Sequence, residues 1–338
     1  MVEGGRDMEA IGKKFFTTVK SCGLVAALAL TLCLASSNLA GAQENIRIGI
    51  SNRGWGFLPT ALAEKKGFFA KHGLASEHVV VASAVAPTAL INENLDFYMA
   101  VGPAVSAILK GLPLKMTMLT AARLHFLLLV KPEVQQVTDL RGKTIGISRF
   151  GSTTHLTLRT ILYSHRLVVG KDVKLLAAGG PGSQLAALER GQIDACYHGP
   201  PLDIGGARLG YKVLLWARDY LEQPMASLVV TERKLKQSPD KIKRVIKGTM
   251  EALSFIQKEK EETVQFVSQW MQVDQPTAAQ LYENHVPIFS KDGTITEKGV
   301  REAVDDVLEQ SQIKKEVPVS MFAETSLLLQ AQREMGLR

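Results

Sequence analysis

Arg149-Phe150-Gly151-Ser152-Thr153-Thr154 sets three hydroxyls beside a guanidinium, directly after a strand-like run and before a helix-like one. A helix start offers backbone N–H groups without intrahelical partners, together with the positive end of the helix dipole. The segment can therefore cradle an anion or another polar group. Ser152 or Thr153 can equally serve as the helix cap, and the two roles are compatible. A second loop, Asn52 to Leu58, supplies Arg53, Trp55 and Phe57, and Gly102-Pro103 and Tyr197-His198 close two further strand-like runs. Aromatic residues make up only 6% of the chain, yet Trp55, Phe57, Phe150 and Tyr197 all fall in these loops. An apolar wall with a few polar fixers is how small-ligand sites are built, although core packing competes as the reading of each aromatic. Arg53, His125 and His198 would add positive potential and favour an acidic ligand; solvated surface is the alternative for Arg53. The expected ligand-binding set is Arg53, Trp55, Phe57, Gly102, Pro103, His125, Arg149, Gly151, Ser152, Thr153, Tyr197 and His198.

Other groupings carry less chemistry. Cys196-Tyr197-His198 places a thiol near an imidazole in sequence, but a catalytic pair is the lesser reading, and Cys196 reads as a small buried apolar residue. His125, His155, His165 and His198 lack metal-ligand spacing, so neither a metal nor a cofactor is expected, and no catalytic residue is assigned. Gly179-Gly180-Pro181-Gly182-Ser183 has no lysine after it and fails as a phosphate-binding loop; it reads as a tight strand-to-helix turn. There is no GxGxxG after a strand and no GxSxG elbow.

The elements that must position these loops come in two copies. Ile48-Gly49-Ile50-Ser51 recurs 97 residues later as Ile145-Gly146-Ile147-Ser148, and Gly54 recurs as Gly151. Ala89-Leu90 and Leu95-Asp96 return 98 residues later as Ala187-Leu188 and Ile193-Asp194, and Gly102-Pro103 returns as Gly199-Pro200 after 97. Strand and helix patterns alternate through both copies. In the first, strands are expected at Ile46 to Ser51, His78 to Ser83 and Asp96 to Val101, with helices from Pro59 and after Gly102. In the second, strands are expected at Thr144 to Ser148, Val173 to Ala178, Ile193 to Tyr197 and Val213 to Ala217. Such runs, bounded by Gly and Pro, indicate parallel β-α-β units, and loops at the carboxyl ends of their strands face a ligand crevice. Leu114 to Val130 and Ala217 to Thr231 interrupt the alternation and read as two crossings between lobes. Hinged opening and closing follows from that arrangement. From Ser238, expected to cap a long amphipathic helix that breaks near Lys260, the chain reads as helical, with helices bracing lobe one. The expected division is 43–125 with 230–338 for lobe one, and 126–229 for lobe two.

Residues 1–42 read as a cleaved secretory signal. Lys13, Lys14 and Lys20 precede an apolar run from Gly23 to Ala35, and Ala40-Gly41-Ala42 follows; Met8 is an alternative start. The run is too short for a mature membrane span. Leu32 directly before Cys33 spoils a lipoprotein pattern. Cleavage after Ala42 removes Cys22 and Cys33 and leaves Cys196, so an internal disulfide is excluded. It also removes four basic and three acidic residues, taking the formal net charge from +7 to +6. That balance is too diffuse to indicate nucleic acid. At 338 residues with 46% hydrophobic content, the chain can build two ordinary cores.

Ala63-Glu64-Lys65-Lys66-Gly67-Phe68-Phe69, Asn94-Leu95-Asp96-Phe97, Gly111-Leu112-Pro113-Leu114-Lys115, Asp139-Leu140-Arg141-Gly142-Lys143-Thr144-Ile145-Gly146 and Gly191-Gln192-Ile193-Asp194-Ala195 together resemble the nitrate/sulfonate/taurine-type solute-binding proteins of ABC importers. That group shares a domain with thiamine-pyrimidine synthesis proteins. The similarity spans essentially the whole mature chain. It implies an α/β, two-lobed type II periplasmic binding protein fold, its lobes joined by two hinge crossings. It further implies a monomeric, non-catalytic periplasmic receptor. Such a receptor captures a small organic solute, anionic (sulfonate- or carboxylate-like) or heteroaromatic, and delivers it to a permease in the inner membrane. By this resemblance the binding loops lie around Trp55, Gly102, Ser152 and His198. The solute itself does not carry over, because Asn52-Arg53-Gly54-Trp55 matches no ligand-specific pattern. Two alternatives compete. An enzyme related to thiamine-pyrimidine synthesis would need a cysteine-rich segment, and a transcription regulator would need a helix-turn-helix.

Overall fold

The computed structural model describes residues 43–310 and 316–337. The expected signal at 1–42, with its alternative start at Met8, lies outside the described residues. In chain order the strands are β1 (Glu44–Ile50), β2 (Leu74–Val80), β3 (Phe97–Ala100), β4 (Leu114–Ala121), β5 (Leu127–Val130), β6 (Thr144–Ile147), β7 (Lys174–Ala177), β8 (Ala195–His198), β9 (Lys212–Trp216) and β10 (Ala226–Thr231). They form two five-stranded sheets of one plan, β2-β1-β3-β10-β4 and β7-β6-β8-β5-β9. In each, two β-α-β units make the parallel core, as in β1 with β3 and in β6 with β7 and β8. The fourth strand of each sheet, β10 or β5, is antiparallel to both neighbours and is the first strand laid down after the chain crosses from the other lobe. The molecule is thus two-lobed with two crossings, β4 to β5 and β9 to β10.

The sequence repeat is a repeat of packing. A Cβ placed on Gly49 would lie 2.6 Å from Leu95 Cδ1, and one on Gly146 would lie 2.7 Å from Ile193 Cδ1. Each glycine lets the apolar residue one β-α-β unit later close over its strand. Asp96 and Asp194 are equally matched. The Arg47 N–H donates to Asp96 Oδ2 at 2.8 Å and the Thr144 N–H donates to Asp194 Oδ2 at 2.9 Å. In return, the aspartate N–H groups donate to the carbonyls of Arg47 and Thr144, at 2.8 and 2.7 Å. Each aspartate therefore starts its strand in register beside its parallel neighbour.

Several boundaries differ from expectation for physical reasons. Gly67, with φ of +73°, splits the first helix into Leu58–Lys65 and Phe68–Lys71. Ala226 pairs with both Ala100 and Ala121, so the first sheet resumes four residues before the expected division at 229/230. The helical region begins earlier than Ser238, with Glu232–Gln237, because the Thr231 side chain accepts the Lys234 N–H and caps it. Ser238 makes no side-chain cap; its hydroxyl is displaced as a capping group where the short helix runs directly into Pro239–Lys258. That long helix buries Ile242, Val245, Ile246, Met250, Leu253 and Ile256 along one face, against Leu58–Lys65 and Phe68–Lys71. The later helices do more than brace lobe one. Glu297–Gln310 touches both Val101–Leu109 and Thr153–Ser164, one helix from each lobe.

Candidate functional site

Loops at the carboxyl ends of equivalent strands meet across a narrow cleft of about 40 Å³. Ser51, Asn52, Trp55 and Phe57 enter it after β1, Ser83 after β2, and Ala100 at the end of β3. The second lobe contributes Ser148, Ser152, Thr153 and Thr154 after β6, and His198, Gly199 and Pro200 after β8. The crossings supply His125, Phe126 and Met225. A volume of this size holds a few water molecules at most. Roomier hollows exist, such as one of about 450 Å³ beside His155, Arg159 and Tyr163, but they lie away from the strand ends.

Trp55 is fully buried and tightly held. Its ring stacks on Phe289 with centroids 5.6 Å apart and 20° between planes, and its Nε1–H donates to the His285 carbonyl at 3.2 Å. His285 Nε2 lies 3.1 Å from Asp203 Oδ2, to which Asn284 Nδ2 also donates, at 3.4 Å. Burial raises the Asp203 pKa, but the His285 and Asn284 bonds outweigh it and hold the carboxyl below its usual value. Asp203 belongs to the second-lobe helix Leu202–Arg208 and His285 to the C-terminal helix Gln275–His285. The aromatic wall of the cleft is therefore anchored through a buried polar contact that reaches the other lobe.

The second-lobe wall is made of hydroxyls. Ser152 caps helix Thr153–Ser164 by accepting the His155 N–H, and it also lines the cleft, so both sequence readings hold. Ser148, Ser152 and Thr154 form a triangle of hydroxyl oxygens with edges of 2.9, 2.7 and 2.8 Å. The Ser152 hydroxyl also lies 2.7 Å from the Arg149 carbonyl, to which it donates.

The two histidines are uncharged. His198 is pushed down to about 4 by burial, and its Nδ1 accepts the Gly199 N–H at 2.8 Å, which leaves the ring proton on Nε2. Burial, then the neighbouring His285 and His198, holds His125 well below the usual histidine value. Its ring lies between glycines of both lobes. A Cβ on Gly199 would meet His125 Cδ2 at 2.4 Å, and one on Gly56 would meet Cε1 at 3.0 Å. Among the described residues, the cleft lining contains no lysine or arginine. Of the residues expected to add positive potential, Arg53 lies over Trp270 at 5.6 Å outside the lining, and burial keeps the imidazoles of His125 and His198 neutral.

Of the twelve residues expected to bind ligand, Trp55, Phe57, His125, Ser152, Thr153 and His198 line the cleft. The other six do not. The Arg149 side chain is exposed; its carbonyl accepts from the Ser152 hydroxyl, and its charge acts on the buried Tyr98 hydroxyl. Gly151 forms the φ +77° turn before the helix. Gly102 and Pro103 sit inside Val101–Leu109, where a Cβ on Gly102 would come within 3.3 Å of Thr153 Oγ1, so they join the lobes behind the cleft. Tyr197 turns away to place its hydroxyl 3.0 Å from that of Thr157. Phe150 is 57% exposed, packed edge-on to His155. Sequence reasoning passed over Ser51, Ser83, Ser148, Phe126 and Met225. The signal for Ser51 and Ser148 was present, as each closes a copy of Ile-Gly-Ile-Ser; the others arrive from strands and crossings distant in sequence. Burial raises the Cys196 thiol to about 12.

Comparison with known proteins agrees with this architecture. The sequence profile of the NMT1-like family matches residues 41–272. A binding protein of Brucella abortus (strain 2308) is 26% identical over 255 residues, covering 73% of this chain and 78% of the relative. The periplasmic aliphatic sulphonate binding protein SsuA from Escherichia coli superposes with a TM-score of 0.68 at 19% identity, covering 83% of this chain and 92% of SsuA. The desulfurization enzyme DSZB superposes with a TM-score of 0.62 at 14% identity, covering 87% of this chain and all of that enzyme.

Proposed function

Because the chain belongs to the NMT1-like family, we propose that it is the exported receptor of an ABC importer, a monomer that captures a small organic solute and hands it to an inner-membrane permease. The observation that carries this reading is the cleft itself: equivalent loops of two lobes, joined by two crossings, close on one narrow space whose floor is built by residues of those crossings. Hinged lobes of this kind convert ligand contacts into closure. The periplasmic location rests on the signal-like pattern of residues 1–42 and on the family. We divide the lobes at the strands, with residues 43–125 and 226–338 forming lobe one and 126–225 forming lobe two. The proposed ligand contacts are Trp55, Phe57, His125, Ser152, Thr153 and His198, joined by Ser51, Ser83, Ser148, Thr154 and Met225.

The test is a change of tryptophan fluorescence together with a raised melting temperature across a panel of sulfonates, carboxylates, amides and pyrimidine precursors. Trp55 reports directly from the cleft wall. Silence of both signals across the panel would sink the receptor reading. The fold of DSZB gives the enzyme alternative its footing. Against it stand a thiol raised to about 12 and two neutral, buried imidazoles, which leave the cleft without a charged acid or base.

A further inference from the structure

Resting on the receptor reading, we infer that the cleft is built for an uncharged, planar amide-type solute rather than an oxyanion, because its hydroxyl wall sets a hydrogen-bond acceptor beside free N–H donors and its described lining holds no lysine or arginine. Three hydroxyls, Ser148, Ser152 and Thr154, share three hydrogens. The Ser152 hydrogen goes to the Arg149 carbonyl at 2.7 Å. The other two can satisfy two of the three triangle edges and are then spent. The Ser148 N–H donates to Thr154 Oγ1 at 3.3 Å, and the His155 N–H donates to Ser152 Oγ at 3.4 Å. Wired this way, both remaining hydroxyl protons lie within the triangle, and at least one oxygen keeps a free lone pair. A solute N–H fits that oxygen.

Two further observations complete the ligand's outline. The N–H groups of Thr153 and Thr154 belong to the first turn of a helix and have no intrahelical acceptor, which suits a carbonyl oxygen. Nδ1 of His125 is buried without a hydrogen-bond partner on a side chain only 4% exposed, at the floor of the same cleft. In a neutral imidazole that nitrogen donates or accepts according to tautomer, so it can meet either end of an amide. Trp55, Phe57 and Phe126 give the lining an apolar side that suits a flat group. A charge, by contrast, would be desolvated there with no cation among the described lining residues.

Matched pairs of one shape and different charge test this directly. Benzamide against benzoate, nicotinamide against nicotinate, and methanesulfonamide against methanesulfonate would be titrated calorimetrically into the whole mature protein at neutral pH. The uncharged member is expected to bind at least tenfold more tightly in each pair that binds, with affinity changing less than twofold between about 20 and 500 mM NaCl. Tighter binding of a charged member, or a tenfold loss in salt, overturns the inference and leaves the receptor reading standing. A sulfonate hit in the broader panel, with all three uncharged probes silent, does the same; silence throughout removes both. Thr154→Val keeps the side-chain shape and is expected to weaken the tightest uncharged probe at least fivefold in a variant that still unfolds cooperatively, whereas unaltered affinity would overturn the assigned role of the triangle.

Discussion

Two loops leave strands of the same sequence and arrive at opposite chemistries. After Ile48-Gly49-Ile50-Ser51 the chain folds into a short 3₁₀ turn that buries Trp55 and Phe57. After Ile145-Gly146-Ile147-Ser148 it turns at Gly151 and opens a helix whose first residues are hydroxyls. The strands, their glycines and their register-setting aspartates are shared because they answer the same packing problem twice. The loops carry no such duty and have diverged into an apolar wall and a polar one. The scaffold is thus shared between the lobes, while the two walls of the cleft differ in chemistry.

That contrast can be broken at four points. Trp55→Ala should have the largest effect, about 4 kcal/mol in urea unfolding, since it empties a fully buried site stacked on Phe289. The opposing wall should tolerate truncation better: Ser152→Ala removes a cap worth about 1 kcal/mol. Equal losses from the two would contradict the division into a packed wall and a hydrogen-bonding wall. The next effect is acid sensitivity. An unfolded chain protonates His198 near pH 6.5, the folded one only at about 4. Stability is therefore whole above pH 6.5 and falls as pH drops toward 4, by about 3 kcal/mol for this group. His125, held low by burial, acts in the same direction. The strand position equivalent to His198 is Ala100, so His198→Ala copies lobe one into lobe two, and denaturation midpoints measured from pH 7.5 to 4 should then decline less steeply.

Two smaller effects probe what the lobes share. Gly49→Ala and Gly146→Ala should cost similar amounts, about 2 kcal/mol each, because each new methyl collides with a buried Leu95 or Ile193. A large inequality would show that one lobe relaxes where the other cannot. Asp96→Asn and Asp194→Asn should differ mildly. Asp96 is opposed by burial but is held below its usual pKa by bonds from Lys234 and the Arg47 N–H, with Lys241 3.7 Å away. Asp194 is 40% exposed and has Lys143 at 3.6 Å. A loss of about 1 kcal/mol at Asp96 and less at Asp194 is expected in chemical denaturation.

The same contrast explains what could be read from the chain beforehand. The repeat located strands, crossings and four cleft loops, because glycine and aspartate spacing reports local backbone needs. It could not say which way a side chain turns once the loop is built. Tyr197 follows its strand alternation away from the cleft to Thr157, and Arg53 finds Trp270, more than two hundred residues distant in sequence. Nor could composition reveal that histidines counted as sources of positive charge would be desolvated into neutrality. The early return of β10 at Ala226 was hidden for a related reason. An antiparallel strand inserted between two others owes its register to partners from both ends of the chain.

The 40 Å³ cleft also has a temporal meaning. If the closed form excludes solute, encounter waits for spontaneous parting of the lobes, and the observed association rate must level off at high solute concentration at the frequency of that parting. Dwell time is set by the same event in reverse. A receptor of this kind would be tuned less by adding contacts to its ligand than by altering how often His125 and Met225, at the two crossings, let the walls separate.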